Sequence, residues 1–240
     1  MSNNTHKVSK AFILRINEPK SIEYAQGAAE SCDKVGLAWS YFDGYSHMTG
    51  RDAWSLTGVK MRWPILEPHQ PTFLLNPLPG HKAECASAGH GAMWKRIAQG
   101  PDEAVVILEH DAIMLHPLEL EVPDYKIAVL GYKIPDPEKY NHVKAGNAKE
   151  WLSINGHEGA HAYAITKKTA QFLVDEIEDV GLLGCIDNAY FLRHQRKCQL
   201  PLVLANPNVA LGYVRDSTIW NEGSSTLNYD FIRSFKENYK

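Results

Sequence analysis

The chain has 240 residues and a formal net charge of −3, and its 44% apolar and 22% charged content is ordinary for a globular protein with a large core. The small net charge argues against a nucleic-acid partner without excluding a local basic groove. Widely spaced cysteines, a polar amino terminus and the lack of a long apolar run argue against zinc knuckles, disulfides, a signal peptide and a membrane span, so we expect a cytoplasmic protein.

The predicted elements of the first half begin with a strand and a helix. Residues 11–16 are mostly apolar and predict the strand, and Ser21 is the expected cap of a helix that ends near Val35. Residues 38–42 predict a second strand. Residues 45–80 are rich in proline and aromatic residues and predict a long loop region with short elements. Packing is the default role of its aromatic side chains, and stacking on a sugar or base is the alternative.

The second half also alternates between strands and helices. Thr166 is the expected cap of a helix with apolar residues at helical spacing. Residues 131–158 are polar and irregular and predict a mobile loop over a site. The other segments predict helices over residues 83–98 and 186–195, and strands over residues 104–108, 127–130, 162–165 and 202–204. This pattern predicts an α/β fold, with a mostly parallel sheet covered by helices on both faces, in a single domain over residues 1–240.

Two carboxylates follow the most apolar strand. Four consecutive branched apolar residues, 105–108, are followed by Glu109, His110 and Asp111. In open α/β sheets, ligands bind at the carboxyl ends of strands, and carboxylate oxygens suit hard divalent cations. An acid-tipped strand that meets solvent is the alternative. Because residues i and i+2 of a strand point to the same side, we expect Glu109 and Asp111 to converge, with His110 opposite.

Short motif blocks occur along the chain in a characteristic order. They are Leu14-Arg15-Ile16-Asn17, Phe42-Asp43-Gly44, a helix with His90 and Trp94, Leu108-Glu109-His110-Asp111-Ala112, Gly159-Ala160-His161-Ala162-Tyr163, and Cys185-Ile186-Asp187. In this order the blocks resemble glycosyltransferase family 25, which includes lipooligosaccharide and procollagen galactosyltransferases. Three features depart from the family pattern. Gly89 replaces a serine, His110 replaces the middle acid of the acidic block, and the arginine that the family usually carries just after its first strand has no obvious counterpart, with Lys20 as the candidate substitute.

The resemblance implies a GT-A-like fold, a nucleotide-sugar donor, for which we expect a UDP-sugar, and a divalent cation, Mn²⁺ or Mg²⁺. It implies that Asp111 binds the metal and that Glu109 lies near the metal or the sugar. His110 either packs behind the site or ligates the metal. A role in the core network is the alternative for His90. The implied donor-binding residues are Ile16, Asn17, Asp43, His90, Glu109 and His161.

Family 25 enzymes are assigned as inverting, so the resemblance also implies a base that deprotonates the acceptor hydroxyl. We assign this role to Asp187, at the start of the last predicted helix, with Glu158 as the second candidate. Helix capping is the alternative role for Asp187. The expected acceptor is a glycan. A glycosyltransferase that acts on a modified base in DNA and an inactive nucleotide-sugar-binding module are the alternative functions.

Overall fold

The computed structural model describes residues 4–62, 82–134, 145–157, 159–182, 185–191 and 200–213. Within them, the helices are α1 (Pro19–Lys34), α2 (Gly50–Leu56), α3 (Lys82–Gln99) and α4 (Lys167–Asp179), followed by a π-helical turn at Asp187–Phe191. None of these helices is long and apolar enough to cross a bilayer. The strands are β1 (Thr5–His6), β2 (Lys10–Arg15), β3 (Trp39–Asp43), β4 (Ala104–Glu109), β5 (Ala112–Met114), β6 (Val122–Pro123), β7 (Ile127–Val129), β8 (Lys133–Ile134), β9 (Glu150–Ile154), β10 (Ala162–Thr166), β11 (Leu202–Asn206) and β12 (Ala210–Tyr213).

A seven-stranded sheet forms the centre of the fold, in the order β3-β2-β4-β10-β7-β11-β9. Strands β10 and β9 run antiparallel to their neighbours, and the other strands of this sheet share one direction. Strand β4 lies between β2 and β10, and its residues 104–108 are fully buried. A continuous run of branched apolar residues suits such a strand, because both of its faces are covered. The predicted α/β fold with a mostly parallel sheet is confirmed.

Apolar layers cover both faces of the sheet. Val105 and Ile107 of β4 belong to a core built with α2, α3 and α4. Val106 and Leu108 belong to a second core, built with α1, β5 and β12. Because alternate residues of a strand point to opposite faces, β4 contributes to both cores. Helices therefore lie on both faces, as predicted, and burial of the two apolar layers drives the folding of the sheet.

The helix starts test two of the local predictions. Thr166 caps α4 as predicted, since its side chain accepts a hydrogen bond from the Thr169 N–H. The prediction that Ser21 caps α1 is wrong, because α1 begins at Pro19, whose fixed φ and missing N–H suit the first helical turn. Ser21 is buried inside the helix, and its hydroxyl accepts a hydrogen bond from the Ile16 N–H at 2.9 Å. It therefore ties the end of β2 to α1.

Two regions with weak patterns contain regular structure. Helix α2 is one of the short elements expected within residues 45–80. The prediction of irregular chain over residues 131–158 is wrong at β9, an edge strand whose side chains are exposed or half-buried and so lack apolar alternation. The last predicted helix begins as a π-helical turn. Residues 63–81, 135–144 and 192–199, which contain other parts of these predictions, lie outside the described residues.

Candidate active site

The carboxyl ends of β2, β3 and β4 lie along one edge of the central sheet, which we call the carboxyl edge. Glu109 is the last residue of β4, and its N–H donates a hydrogen bond to the carbonyl oxygen of His161 at 2.8 Å. His161 immediately precedes β10, so the antiparallel β10 begins where β4 ends. The tip of β4 therefore adjoins a second motif block that lies about 50 residues away in the sequence (Glu109 to Gly159).

Hydrogen-bonded side chains connect α3 through β10 to Glu109, and we call this series of contacts the hydrogen-bond chain. The Nε1–H of Trp94 donates to Oη of Tyr163 at 2.8 Å, and this Oη lies 2.8 Å from Nδ1 of His90. Nε2 of His90 lies 3.2 Å from Oε1 of Glu109. His90, Trp94 and Tyr163 are fully buried. Residues four apart share one face of a helix, so His90 and Trp94 reach the same hydroxyl. Tyr163, which explains this spacing, was not assigned to the site from sequence.

Burial raises the pKa of the Tyr163 hydroxyl well above its ordinary value. The negative charges of Glu109 and Asp187 raise this pKa further, against the opposing effect of the Trp94 N–H. The phenol therefore stays protonated at neutral pH and serves as a hydrogen-bonding group.

Asp187 opens the π-helical turn. Its Oδ1 accepts a hydrogen bond from the Ala160 N–H at 2.9 Å. This bond fixes the turn against the residue that precedes His161, so Asp187 lies beside the start of β10. The contact gives Asp187 a structural role, and its role as a base stays a prediction. Glu158, the second candidate base, lies outside the described residues.

Glu109 and His110 face opposite sides of the sheet. Glu109 contacts His90 of α3, whereas the ring of His110 stacks on Tyr24 of α1, with ring centres 6.1 Å apart and planes 8° apart. His110 directly follows the last residue of β4, and the stacking favours a packing role for this residue. Asp111 lies beyond the end of β4, in the turn that leads to β5. Strand alternation does not set its direction there, so the convergence of Glu109 and Asp111 stays a prediction.

Glu109 and Asp111 are the residues at this tip that could hold a divalent cation. Both are half-buried carboxylates. Carboxylate oxygens fit Mg²⁺ or Mn²⁺, and a cation that carries a diphosphate is usually held by only one or two protein carboxylates. In the described part of the chain, no group of three or more His, Cys, Asp or Glu side chains is arranged to hold a metal ion. The donor set fits the predicted cation, whose presence stays a prediction.

His161, a predicted donor-binding residue, belongs to a buried pair of imidazoles. Its Nε2–H donates to the carbonyl oxygen of Gly131 at 3.1 Å, and its ring centre lies 5.3 Å from that of His157. A Cβ at Gly212 would lie 2.6 Å from the His161 ring, so glycine at this position leaves space for the imidazole. The packing gives His161 a structural role beside the predicted one. His157 gave no sequence signal, because it is one of eleven scattered histidines.

The other predicted donor-binding residues lie at the ends of β2 and β3. Ile16 is half-buried and Asn17 is exposed, directly after β2. Asp43, the last residue of β3, accepts a hydrogen bond from the Nε–H of Arg15 at 2.7 Å. The guanidinium carbon of Arg15 lies 3.9 Å from the centre of the Tyr41 ring. Arg15 was not assigned to the site from sequence, although a basic residue at the end of the first strand was the available signal.

Gly89 explains one departure from the family pattern. A Cβ at this position would lie 3.2 Å from Cδ1 of Leu14 and 3.8 Å from Cα of Gly44. The missing side chain therefore lets α3 pass close to the ends of β2 and β3. This close approach brings His90, the next residue along α3, to the carboxyl edge.

No protein-family model matches this chain, and no curated protein matches it. Among solved structures, it is similar to the apo form of the glycosyltransferase GlyE from Streptococcus pneumoniae TIGR4, with 12% identity, a TM-score of 0.42 and coverage of 98% of this chain. The chain spans 65% of the length of that protein. It is also similar to the galactosyltransferase LgtC in complex with donor and acceptor sugar analogs, with 10% identity and a TM-score of 0.38 over 95% of each chain.

Proposed function

We propose that the protein is a metal-dependent, inverting glycosyltransferase with a GT-A-like fold. Its donor would be a nucleotide sugar, in the first instance a UDP-sugar, and its acceptor a hydroxyl group of a glycan. The resemblance of the motif blocks to glycosyltransferase family 25 supports this reaction class. The position of those blocks in the fold adds physical support for this proposal.

Motif blocks that lie far apart in the sequence contact one another, and this observation carries the proposal. His90 of α3 contacts both Glu109 of β4 and Tyr163 of β10, and Asp187 binds the N–H of Ala160, beside β10. Buried polar groups cost free energy unless they are paired, and these contacts pair the buried side chains of α3 and β10 with Glu109. The place of these contacts at the ligand-binding edge of an α/β sheet supports a functional site over an acid-tipped strand that meets solvent.

In the proposed reaction, Asp187 accepts the proton of the acceptor hydroxyl while the hydroxyl oxygen attacks the anomeric carbon of the donor sugar. The bond between that carbon and the diphosphate breaks, its electron pair moves to the leaving phosphate oxygen, and the anomeric configuration inverts. The hydrogen bond from Ala160 would keep the Asp187 carboxylate in a fixed orientation. Glu158 is the alternative base.

The remaining predicted residues would bind the donor. Asp111 would contact the cation directly, and Glu109 would contact the cation or the sugar. When bound, the cation would supply Lewis-acid stabilisation of the leaving diphosphate. His161 would lie near the phosphates or the acceptor. Ile16, Asn17 and Asp43, at the ends of β2 and β3, would lie near the nucleotide base and ribose.

Release of nucleoside diphosphate tests the proposed function. We expect the purified protein, incubated with a panel of nucleotide sugars and Mn²⁺, to release the free diphosphate from at least one donor. A thermal-shift screen of the same donors, with and without Mn²⁺, identifies which donor binds, because a ligand of the native state raises its stability. Donor binding without release would favour the inactive binding module. No binding and no release would overturn the proposal, and an acceptor screen separates glycans from modified DNA.

Replacing Asp111 tests the proposed metal contact. We expect Asp111→Asn to abolish the Mn²⁺-dependent part of donor binding, because the amide removes the negative charge and keeps the shape of the side chain. Asp175→Asn is the matched control, since Asp175 is exposed on α4 and binds Gln171. Donor affinity is measured by calorimetry with and without Mn²⁺. Unchanged Mn²⁺-dependent binding in Asp111→Asn would remove this residue from the site.

A further inference from the structure

The hydrogen positions between Trp94, Tyr163 and His90 follow from which atoms can donate. An indole N–H only donates, so Oη of Tyr163 accepts the hydrogen bond from Trp94. The hydroxyl proton of Tyr163 is fully buried and needs an acceptor of its own. Nδ1 of His90, 2.8 Å from Oη, is that acceptor when it carries no hydrogen. The Tyr163 end of the chain therefore requires an unprotonated Nδ1.

The Glu109 end of the chain leads to the same result. Nε2 of His90 lies 3.2 Å from Oε1 of Glu109, and an ionised carboxylate only accepts hydrogen bonds. The ring hydrogen must therefore lie on Nε2. A hydrogen on Nδ1 instead would remove the acceptor of the Tyr163 proton and would place a nitrogen lone pair against a carboxylate oxygen. Two independent contacts thus require one tautomer of His90.

We propose that His90 is a positioning residue for Glu109, held in its Nε2–H tautomer by Tyr163 and Trp94. Hydrogen bonds then run in one direction, from the indole through the hydroxyl and the imidazole to the carboxylate. This arrangement fixes the orientation of Glu109 and leaves its negative charge in place, as a carboxylate that binds a cation requires. The inference depends on the proposed function in one respect only, which is that Glu109 binds the cation.

Aromatic packing holds Trp94 and Tyr163, two hydrogen-bond donors of the hydrogen-bond chain, in place. The ring of Tyr190 packs edge-on against Trp94 at 5.1 Å, and the ring of Phe191 packs against Tyr163 at 5.3 Å. Both packing residues belong to the π-helical turn that Asp187 opens. The turn that carries the proposed base therefore also braces the chain that orients Glu109. Rotation of either donor ring would require this turn to move.

Nitrogen NMR of the histidine side chains tests the tautomer directly. Long-range ¹H–¹⁵N spectra of the ¹⁵N-histidine-labelled full chain distinguish a protonated from an unprotonated ring nitrogen, and contacts with the Tyr163 ring assign the His90 signals. We expect His90 in the wild-type protein to carry its hydrogen on Nε2 alone. In Tyr163→Phe we expect the ring hydrogen to stay on Nε2, because Glu109 still accepts it. A wild-type His90 with a hydrogen on Nδ1 would overturn the proposal.

The affinity for Mn²⁺ alone tests the positioning role. Glutamine places an amide nitrogen near the position of Nε2 and keeps a donor for Glu109, whereas asparagine places it near Nδ1. We expect His90→Asn to weaken Mn²⁺ binding by about tenfold, the loss typical of removing a partner of a metal ligand, and His90→Gln to restore most of it. His47→Asn is the matched control, because His47 lies 3.7 Å from Glu18 at the surface. Water-proton relaxation measures the Mn²⁺ affinity of the wild-type protein and of these three variants.

The two measurements separate failure of the inference from failure of the proposed function. If the wild-type protein shows the expected tautomer and binds Mn²⁺, but His90→Asn binds it equally well, the positioning role is overturned. If the tautomer is as expected and the wild-type protein does not bind Mn²⁺, the metal-dependent function is overturned, and the directed chain to Glu109 stands. The wild-type spectrum needs no variant, so it decides the tautomer even where a substitution impairs folding.

Discussion

Glu109, at the carboxyl edge of the central sheet, has a different kind of partner from two aspartates at the opposite edge. At the edge where β2 and β4 begin, which we call the amino edge, Lys10 lies 2.7 Å from Asp102 and Lys168 lies 2.8 Å from Asp124. At the carboxyl edge, Glu109 receives a hydrogen bond from an imidazole. The first arrangement compensates negative charge with positive charge, whereas the second orients the carboxylate.

The pKa values at the amino edge show the effect of the lysines. The hydrogen bond from Lys10 lowers the pKa of Asp102. Burial by itself would raise the pKa of Asp124, but hydrogen bonds from Lys168 and Thr166 and the charge of Lys168 outweigh burial, and the pKa lies below its ordinary value. A carboxyl whose pKa is lower in the folded than in the unfolded state stabilises the fold at neutral pH. The carboxylates of the amino edge therefore serve stability.

The hydrogen-bond donors to Glu109 and Asp187, at the carboxyl edge, affect these carboxylates differently. The imidazole of His90, in the tautomer inferred above, and the N–H of Ala160 are neutral, so their hydrogen bonds orient Glu109 and Asp187 and leave the charges in place. A carboxylate that keeps its negative charge in such a position attracts a cation or a proton. We infer that Asp102 and Asp124, at the amino edge, serve the fold and that Glu109 and Asp187, at the carboxyl edge, serve a ligand. Each prediction below can break this comparison.

The largest expected effect concerns turnover at the carboxyl edge. We expect Asp187→Asn to lower turnover by about 10²- to 10⁴-fold, the usual contribution of a general base, because the amide cannot accept a proton. Donor affinity should change by less than about threefold, since the amide oxygen still accepts the hydrogen bond from Ala160. Steady-state kinetics with the donor identified by the screen give both values. Retained turnover would assign the base to Glu158.

The next effect concerns stability, and substitutions at the two edges should differ in the size of their effect. Asp124→Asn leaves Lys168 without its carboxylate, and we expect a loss of about 2 kcal/mol, the scale of a hydrogen bond between charged groups of which only the carboxylate is buried. This loss corresponds to a fall of roughly 4–8 °C in Tm. Glu109→Gln should change stability by less than about 1 kcal/mol, because its amide oxygen still accepts from His90.

Calorimetry of both variants provides the comparison, and each variant also serves as the functional control of the other. At a temperature where it is folded, Asp124→Asn should keep wild-type turnover, whereas Glu109→Gln should lose Mn²⁺ binding. A Glu109→Gln protein that is destabilised as much as Asp124→Asn would show that the carboxyl edge serves the fold as well. The division between the two edges would then be wrong.

Sequence pattern predicted the parts of the fold that local chemistry determines. Residues 105–108 are apolar without interruption because β4 is covered on both faces, and Thr166 caps α4 because its hydroxyl lies one turn before an unpaired N–H. Strand β9 was missed because an exposed edge strand carries no apolar alternation. The start of α1 was misplaced because both Pro19 and Ser21 are residues typical of helix starts.

The site was predictable only as far as its motif blocks. His90, Glu109 and Asp187 belong to recognisable blocks, but the residue that joins two of them, Tyr163, looks like an ordinary strand residue in the sequence. Its role depends on a helix and two strands that meet in space, which no local pattern encodes. Arg15 was missed for a similar reason, because its partner Asp43 lies on the neighbouring strand, 28 residues away.

The smallest expected effect is a change in the pH dependence of stability. The pKa of Asp124 is lowered in the folded state, so its contribution is complete above the unfolded value of about 3.9 and is lost as pH falls through that value towards the folded pKa. Lys168→Met removes the partner, and the folded pKa rises towards the unfolded one. We expect denaturant unfolding between pH 6 and about pH 3 to show a shallower loss of stability than in the wild-type protein.

Lys167→Met is the matched control for this measurement. Lys167 is the neighbouring residue of α4, and its ammonium group donates to the carbonyl oxygen of Gly100, which does not titrate. Its removal should lower stability by a similar amount at every pH and leave the acid slope at its wild-type value. If Lys168→Met keeps the wild-type slope as well, the lysine does not set the pKa of Asp124. The hydrogen bond from Thr166 and the imidazole of His6, which lies 3.3 Å from the Asp124 carboxylate, would then set that pKa, and the contrast with Glu109 would no longer rest on a lysine.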